Sequence, residues 1–252
     1  MDLTKEALEF IQQSAEPHVI NHMGYSYSDK VLYKIANYDY PDSIEVSTLR
    51  ALADYMNSEI DGDLVSMFLV IIDSPQCVRL LSEVDDDMKR MHLMTATACL
   101  PDIKFGRFID RESFNIQLQS CFVGEQNSRH ISPEDLGDKE VLLEVISQIQ
   151  AGTVAEYTDD GFAQKANLKR GATIQAALIP NPVLLAPYRS FQEIAQVESE
   201  FIFRLQENGG EILCGLFPAD GGAWEIEARK RVKAWFEQAL TEEVLENTVI
   251  LA

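Results

Sequence analysis

Basic side chains are scarce in this chain. Lys and Arg number 21 among 252 residues, against 41 Asp and Glu, which leaves a formal net charge of −20. The excess acid is spread over both halves and is not a terminal tail. Nucleic-acid binding draws on clustered Lys and Arg that displace counterions from phosphates. A field of this sign repels a phosphate backbone and an anionic bilayer alike. Direct nucleic-acid and membrane partners are therefore not expected, whereas a basic or nucleic-acid-binding protein suits the charge. The one basic cluster, Arg229, Lys230, Arg231 and Lys233, is interleaved with Glu225 and Glu227 on a predicted helix and reads as a solvated helix face.

Long apolar runs are also missing. The longest, Met67 to Ile72, is far shorter than the ~18 residues of a membrane span and suits a buried strand. The polar start, Met1-Asp2-Leu3-Thr4-Lys5-Glu6, lacks the features of a signal peptide. Cysteine is sparse: Cys77, Cys99, Cys121 and Cys214 form no C-x-x-C pair, which argues against zinc ribbons and thioredoxin-like sites. Their apolar neighbours predict reduced, buried thiols and a cytosolic compartment without a disulfide framework.

What is present reads as ordinary globular material. Thr4 to Ala15 predicts a helix capped by Thr4, with Leu8 and Ile11 on one face. Short strands follow between His18 and Ile35. Ser47 is a candidate cap for a helix with Leu49, Leu52, Ala53 and Met56 on its buried stripe. Leu64–Ile72, Gln76–Val84 and Arg90–Cys99 read as a β-meander, broken by Asp73-Ser74-Pro75 and Asp85-Asp86-Asp87.

Asp110 caps a predicted helix from Arg111, and Ser132-Pro133 starts another with Leu142, Val145, Ile146 and Ile149 inward. Further strands are expected over Phe162–Lys169, Thr173–Ile179 and Val183–Ala186, then Phe201–Gln206 and Ile212–Phe217 around Asn208-Gly209-Gly210. A last helix carries Trp224, Ala228, Val232, Trp235 and Ala239 on one face, with Trp224 as its core anchor and Asp220 as its cap. The order lacks βαβα alternation. It predicts an α+β fold of antiparallel β-meanders packed with amphipathic helices. The best boundary divides an N-terminal lobe, 1–124, from a C-terminal lobe, 125–252, although the two halves can share one core.

Catalytic patterns are thin. His18-x-x-x-His22 has ligand spacing, but Pro17 and Gly24 disfavour a helix and no H-E-x-x-H glutamate is present. Asp85-Asp86-Asp87 and Asp159-Asp160 raise a metal-dependent hydrolase or nuclease as the alternative function. Turn chemistry explains both runs more simply. No glycine-rich phosphate loop is found, and Asp220 before Gly221-Gly222 suits capping better than anion binding. No catalytic residue and no cofactor is assigned, and the metal question stays open.

Several stretches in fixed order carry a resemblance. They are Phe105-Gly106-Arg107-Phe108 with Asp110; Leu118-Gln119-Ser120; Asp159-Asp160-Gly161 with Gln164-Lys165; Pro180-Asn181-Pro182-Val183 with Pro187-Tyr188-Arg189; and Glu198-Ser199 with Phe203-Arg204. Ala219-Asp220-Gly221-Gly222-Ala223-Trp224 closes the set. Together, over about residues 93–240, they resemble a family of phage- and prophage-encoded proteins, distantly like the YfdQ-type prophage proteins. The resemblance brings no catalytic residues with it. It implies an accessory protein made in the host cytoplasm that binds and modulates a host or phage protein, in defence antagonism or DNA metabolism. A phage structural component is a further alternative.

Arg189 and Arg204, set among apolar and aromatic residues, and the acids Asp159 and Asp160 are the candidate interaction residues. Either arginine can pair with a carboxylate such as Glu198. The apolar end Thr248–Ala252 needs a groove or a strand edge. A second subunit would supply one, making a homo-oligomer, or the chain's own body would.

Overall fold

A computed structural model describes residues 4–15, 17–22, 25–29, 41–58, 60–61, 65–85, 88–124, 137–151, 153–159, 164–170, 173–178, 181–209 and 211–252. Residues 11–15, 25, 148–151 and the strands between 153 and 178 are described by backbone alone.

The chain divides into two units at Pro41/Asp42. In the first, α1 (Lys5–Ala15) begins where expected: the Ala7 N–H donates to Thr4 Oγ1 at 3.3 Å. The hairpin of β1 (Val19–His22) and β2 (Tyr25–Ser28) follows, clamped at its open end by Asp29, whose carboxylate accepts the His18 N–H at 2.7 Å. His18 and His22 both lie exposed on this hairpin.

The second unit runs β3 (Ile44–Val46), α2 (Leu49–Ser58), β4 (Phe68–Ser74), β5 (Cys77–Ser82), β6 (His92–Thr97), β7 (Phe108–Asp110), α3 (Arg111–Cys121) and α4 (Asp138–Ala151). Then come β8 (Thr153–Asp159), β9 (Gln164–Arg170), β10 (Thr173–Leu178), β11 (Val183–Leu185), β12 (Ser199–Asn208), β13 (Glu211–Pro218), α5 (Ala223–Ala239), α6 (Glu242–Glu246) and β14 (Thr248–Leu251). The fold is α+β, as the order of elements predicts.

The expected meander β4-β5-β6 is the antiparallel centre of a five-stranded sheet. Its turn is Pro75-Gln76, because β4 extends through Asp73 and Ser74. Both edges are parallel additions: β14 beside β4 and β3 beside β6. The sheet is therefore mixed. The apolar chain end folds back onto its own body, since a strand arriving from α6 finds the open edge of β4. Alternation along β5 turns Val78 and Leu80 inward, where they meet Leu49, Leu52 and Met56 of α2 and Val232 and Phe236 of α5. The α2 stripe is the predicted one. Its cap is Thr48 rather than Ser47, through the Ala51 N–H at 3.3 Å.

A second, antiparallel sheet has the order β11-β12-β13-β7. Its inner face, with Phe201, Phe203, Cys214 and Leu216, packs against Phe114 and Leu118 of α3 and Leu142 and Ile146 of α4. Asp110 caps α3 as expected, accepting the Ser113 N–H at 2.8 Å. Strands β8, β9 and β10 form a third, antiparallel meander. The Ser132-Pro133 helix start lies outside the described residues.

A division at 124/125 would separate β7 from its partner β13, and α5 and β14 from the sheet they cover and extend. Elements from both sides of that point build both cores. All four thiols are free: Cys121 and Cys214 are buried, Cys77 is half-buried and Cys99 is exposed, against the expectation that all four are buried. Apolar neighbours in sequence do not bury Cys99, because it follows the end of β6 on an irregular segment. No helix among the described residues is long and apolar enough to cross a membrane.

Candidate functional site

The connection from β11 to β12 is organised by a few polar ties. Its entry is fixed to the end of α3, where the Val123 N–H donates to Ala186 O and the Tyr188 N–H to Cys121 O, both at 2.9 Å. Gln196 then holds the loop from inside. Its Oε1 accepts the Arg189 and Ser190 N–H groups at 3.0 and 3.2 Å, and its Nε2 donates to Phe191 O at 2.9 Å. Ser190 Oγ donates to Pro75 O, tying the loop to the β4–β5 turn. These bonds let Phe191 and Ile194 enter the core beneath the five-stranded sheet. One short loop thereby joins both cores.

Arg189 sits at the junction and is 9% exposed. Its guanidinium stacks 4.0 Å from the centroid of the Trp224 ring and 5.5 Å from that of Phe201. Nη2 donates to Ser199 Oγ at 2.6 Å, while Nε has no hydrogen-bond partner. Burial pulls its pKa down to about 10, and the charges of Asp220 and Glu225 oppose that shift. The expected ion pair with Glu198 is not formed. Arg189 turns inward onto two aromatic faces, whereas Glu198 is on the outer, exposed side of the chain. Cation–π contact and a hydroxyl take the place of a carboxylate.

Trp224 is correspondingly not a core anchor. It is half-buried in the first turn of α5, where it carries Arg189 on one face and borders a cleft. The residue capping α5 by position is Gly222, at φ 87°, where a side chain would be strained. Asp220 nevertheless satisfies the helix start from two residues upstream, accepting the Gly222 and Trp224 N–H groups at 3.3 and 3.4 Å.

The cleft encloses about 1680 Å³ between this loop, the start of α5, the Cys99–Pro101 segment and the end of α3. Its described lining holds five carboxylates, from Glu193, Glu198, Glu200, Asp220 and Glu227, against one basic side chain, Arg231. That arginine is tied to its neighbours: Nε bonds Glu227 at 3.1 Å, and Nη1 donates to Ala195 O and Gln196 O at 3.1 and 3.0 Å. Glu193 accepts the Arg50 N–H at the start of α2. Glu198 and Glu200 are exposed and, two apart on extended backbone, face the same side. Leu184, opposite Glu200 in the β11–β12 register, adds an exposed apolar surface beside them. The result is an acidic, partly apolar groove suited to a cationic ligand.

The other sequence candidates do not enter this groove. Arg204 lies in mid-β12, half-buried, with Nη1 donating to Phe203 O at 3.4 Å. Asp159 ends β8 and is described by backbone only; Asp160 lies outside the described residues. In the Asp85 turn, the Asp85 carboxylate accepts the Lys89 N–H at 2.8 Å, and Asp86 and Asp87 lie outside the described residues. The basic cluster on α5 is more than a solvated face: Arg231 straps the loop, and Arg229 donates to Asp73 O at 2.9 Å. The groove's acids were missed because they are scattered singly from 193 to 227. Only their convergence marks them. Comparisons with protein-family models, curated proteins and solved structures find no match for this chain.

Proposed function

We propose that this is a binding protein whose acidic cleft receives a basic segment of a protein partner, modulating that partner rather than transforming a substrate. The observation that carries this reading is the five-to-one excess of carboxylates over basic side chains in the cleft's described lining, with the single arginine tied down by its neighbours. The net charge of −20 adds long-range attraction for a basic partner. The motif resemblance supplies the setting: a phage accessory protein in the host cytoplasm, acting on a basic or nucleic-acid-binding protein of defence or DNA metabolism.

A homodimer belongs to the same proposal, supported by the open edge of β14, where Val249 and Leu251 are exposed. Light scattering tests it, with a monomer at micromolar concentration as the refuting result. For the cleft, Trp224 serves as an intrinsic probe. Titration with an Arg/Lys-rich peptide is expected to change its emission saturably, and a charge-inverted peptide is expected not to. Equal responses to the two peptides would refute the reading.

A further inference from the structure

We propose that a second cavity, separate from the acidic cleft and argued independently of it, is a binding site for a primary ammonium group carried on an apolar stem. The cavity encloses about 480 Å³ between the end of α2 and the α6–β14 turn. Its floor is apolar, with Met56, Val65 and Val244 all buried, and Tyr55 and Phe68 contribute aromatic surface. This combination of an apolar body and a few polar groups is the usual constitution of a small-ligand pocket.

The polar groups decide the chemistry. Both hydroxyls in the described lining are already committed to the protein, and the Asn247 amide is committed through one of its two N–H groups. Tyr55 Oη–H donates to Asp61 Oδ2 at 2.5 Å, Ser66 Oγ–H to Glu83 Oε1 at 2.7 Å, and Asn247 Nδ2 to Glu243 O at 3.1 Å. Burial and the Asp61 carboxylate hold the Tyr55 phenol well above its ordinary pKa, so it stays protonated and keeps that bond. The remaining polar capacity of these lining residues is mostly acceptor: Asp61 Oδ1, the Glu243 carboxylate and Asn247 Oδ1, beside one Asn247 N–H. The described lining contains no Lys, Arg or His.

An anion meets two carboxylates there and no cationic side chain in the described lining, with one Asn247 N–H as the single uncommitted side-chain donor. An ammonium offers three N–H donors and needs no acceptor. Its stem is matched by the floor, and its charge by two carboxylates and two aromatic rings. A lysine side chain of a partner and a free alkylamine share this chemistry.

The test is a ¹H–¹⁵N correlation titration of the full chain with n-butylammonium and with Nα-acetyl-lysine methylamide, using 1-butanol as the uncharged isostere. Saturable shifts are expected at the amides of 55–61, 65–68 and 243–247 with an ammonium probe, and not with butanol. Response to butylammonium alone identifies a free amine as the ligand type; response to both admits lysine. Glu243→Gln, at an exposed position on α6, is expected to weaken binding about tenfold while leaving the spectrum folded, and Asp61→Asn to do the same. No saturable shift with either ammonium probe, equal shifts with butanol, or unchanged affinity in both variants would overturn the proposal. Substitution of Glu198 and Glu200 should leave this titration untouched, so its failure and that of the cleft reading are separable.

Discussion

Phe236→Ala tests whether the last helix is integral to the sheet formed by residues 68–97. Phe236 is fully buried near the end of α5, in one core with Leu52 and Met56 of α2 and Val70 of β4. Truncating a buried Phe removes its transfer free energy and leaves a cavity, about 3–5 kcal/mol in total. At about 2–4 °C per kcal/mol for a chain of this size, the melting midpoint should fall by roughly 6–20 °C. The two tryptophans provide local reporters. Trp235 packs edge-on to Phe236, with ring centroids 5.3 Å apart, and Trp224 lies against Arg189 at the junction of the cores. Trp224→Phe and Trp235→Phe backgrounds therefore watch two regions separately in a denaturant titration. If the cores are one cooperative body, Phe236→Ala shifts both midpoints together. Phe10→Ala, at a position 71% exposed, should shift neither. A loss below about 1 kcal/mol, or a midpoint that moves only for Trp235, would refute the shared-core reasoning.

Three more perturbations follow from particular contacts. At Gly215 a Cβ would lie 2.9 Å from Phe217 Cε2, 3.1 Å from Phe108 Cδ1 and 3.2 Å from Arg107 O, so Gly215→Ala should cost about 1–3 kcal/mol in denaturant unfolding, partly recovered in Phe217→Leu. Thiol labelling of the native protein should modify exposed Cys99 first and reach Cys121 and Cys214 only on unfolding. Burial pushes the Cys214 thiol up to about 12, so the unfolded chain loses that proton first as pH rises from the ordinary thiol range. Stability should consequently fall across that alkaline window, less steeply in Cys214→Ala. Asp73 is held below its ordinary pKa by the Arg79 guanidinium, which donates from Nε and Nη2 at 2.5 and 2.7 Å. This contribution is present above the ordinary carboxylate range and lost as pH falls through the folded value. Asp73→Asn should flatten the acid limb of a midpoint-against-pH plot, and an unchanged limb would count against the pairing.

Features written in short stretches of sequence were legible. The Leu49, Leu52, Ala53, Met56 stripe, the Asp110 cap and the hairpin around Gly209 depend on local spacing and turn chemistry. Features fixed by distant partners were not. Strand β7 has three residues and exists because β13 offers it an edge. Thr48 and Ser47 are both capping residues, and only backbone geometry chooses between them. Strand β8 was not read as a strand, and the parallel docking of β14 could not be told from docking on a second subunit. Arg189 stood out as an arginine among aromatics. Its partners, Trp224 and Ser199, lie 35 and 10 residues away, so nothing local distinguished stacking from an ion pair with Glu198.

The central claim is that the cleft binds through its free carboxylates, and the most direct measurement is the affinity of an Arg/Lys-rich peptide for Glu198→Gln/Glu200→Gln beside Glu112→Gln/Glu246→Gln. Both pairs remove the same charge from exposed positions, but only the first lines the cleft. The cleft pair should bind about tenfold or more weakly and lose part of the salt dependence between about 0.05 and 0.3 M, while the control pair stays close to wild type. Equal weakening in both pairs would show a general field effect, and wild-type affinity in the cleft pair would show that the peptide binds elsewhere; either result contradicts the account.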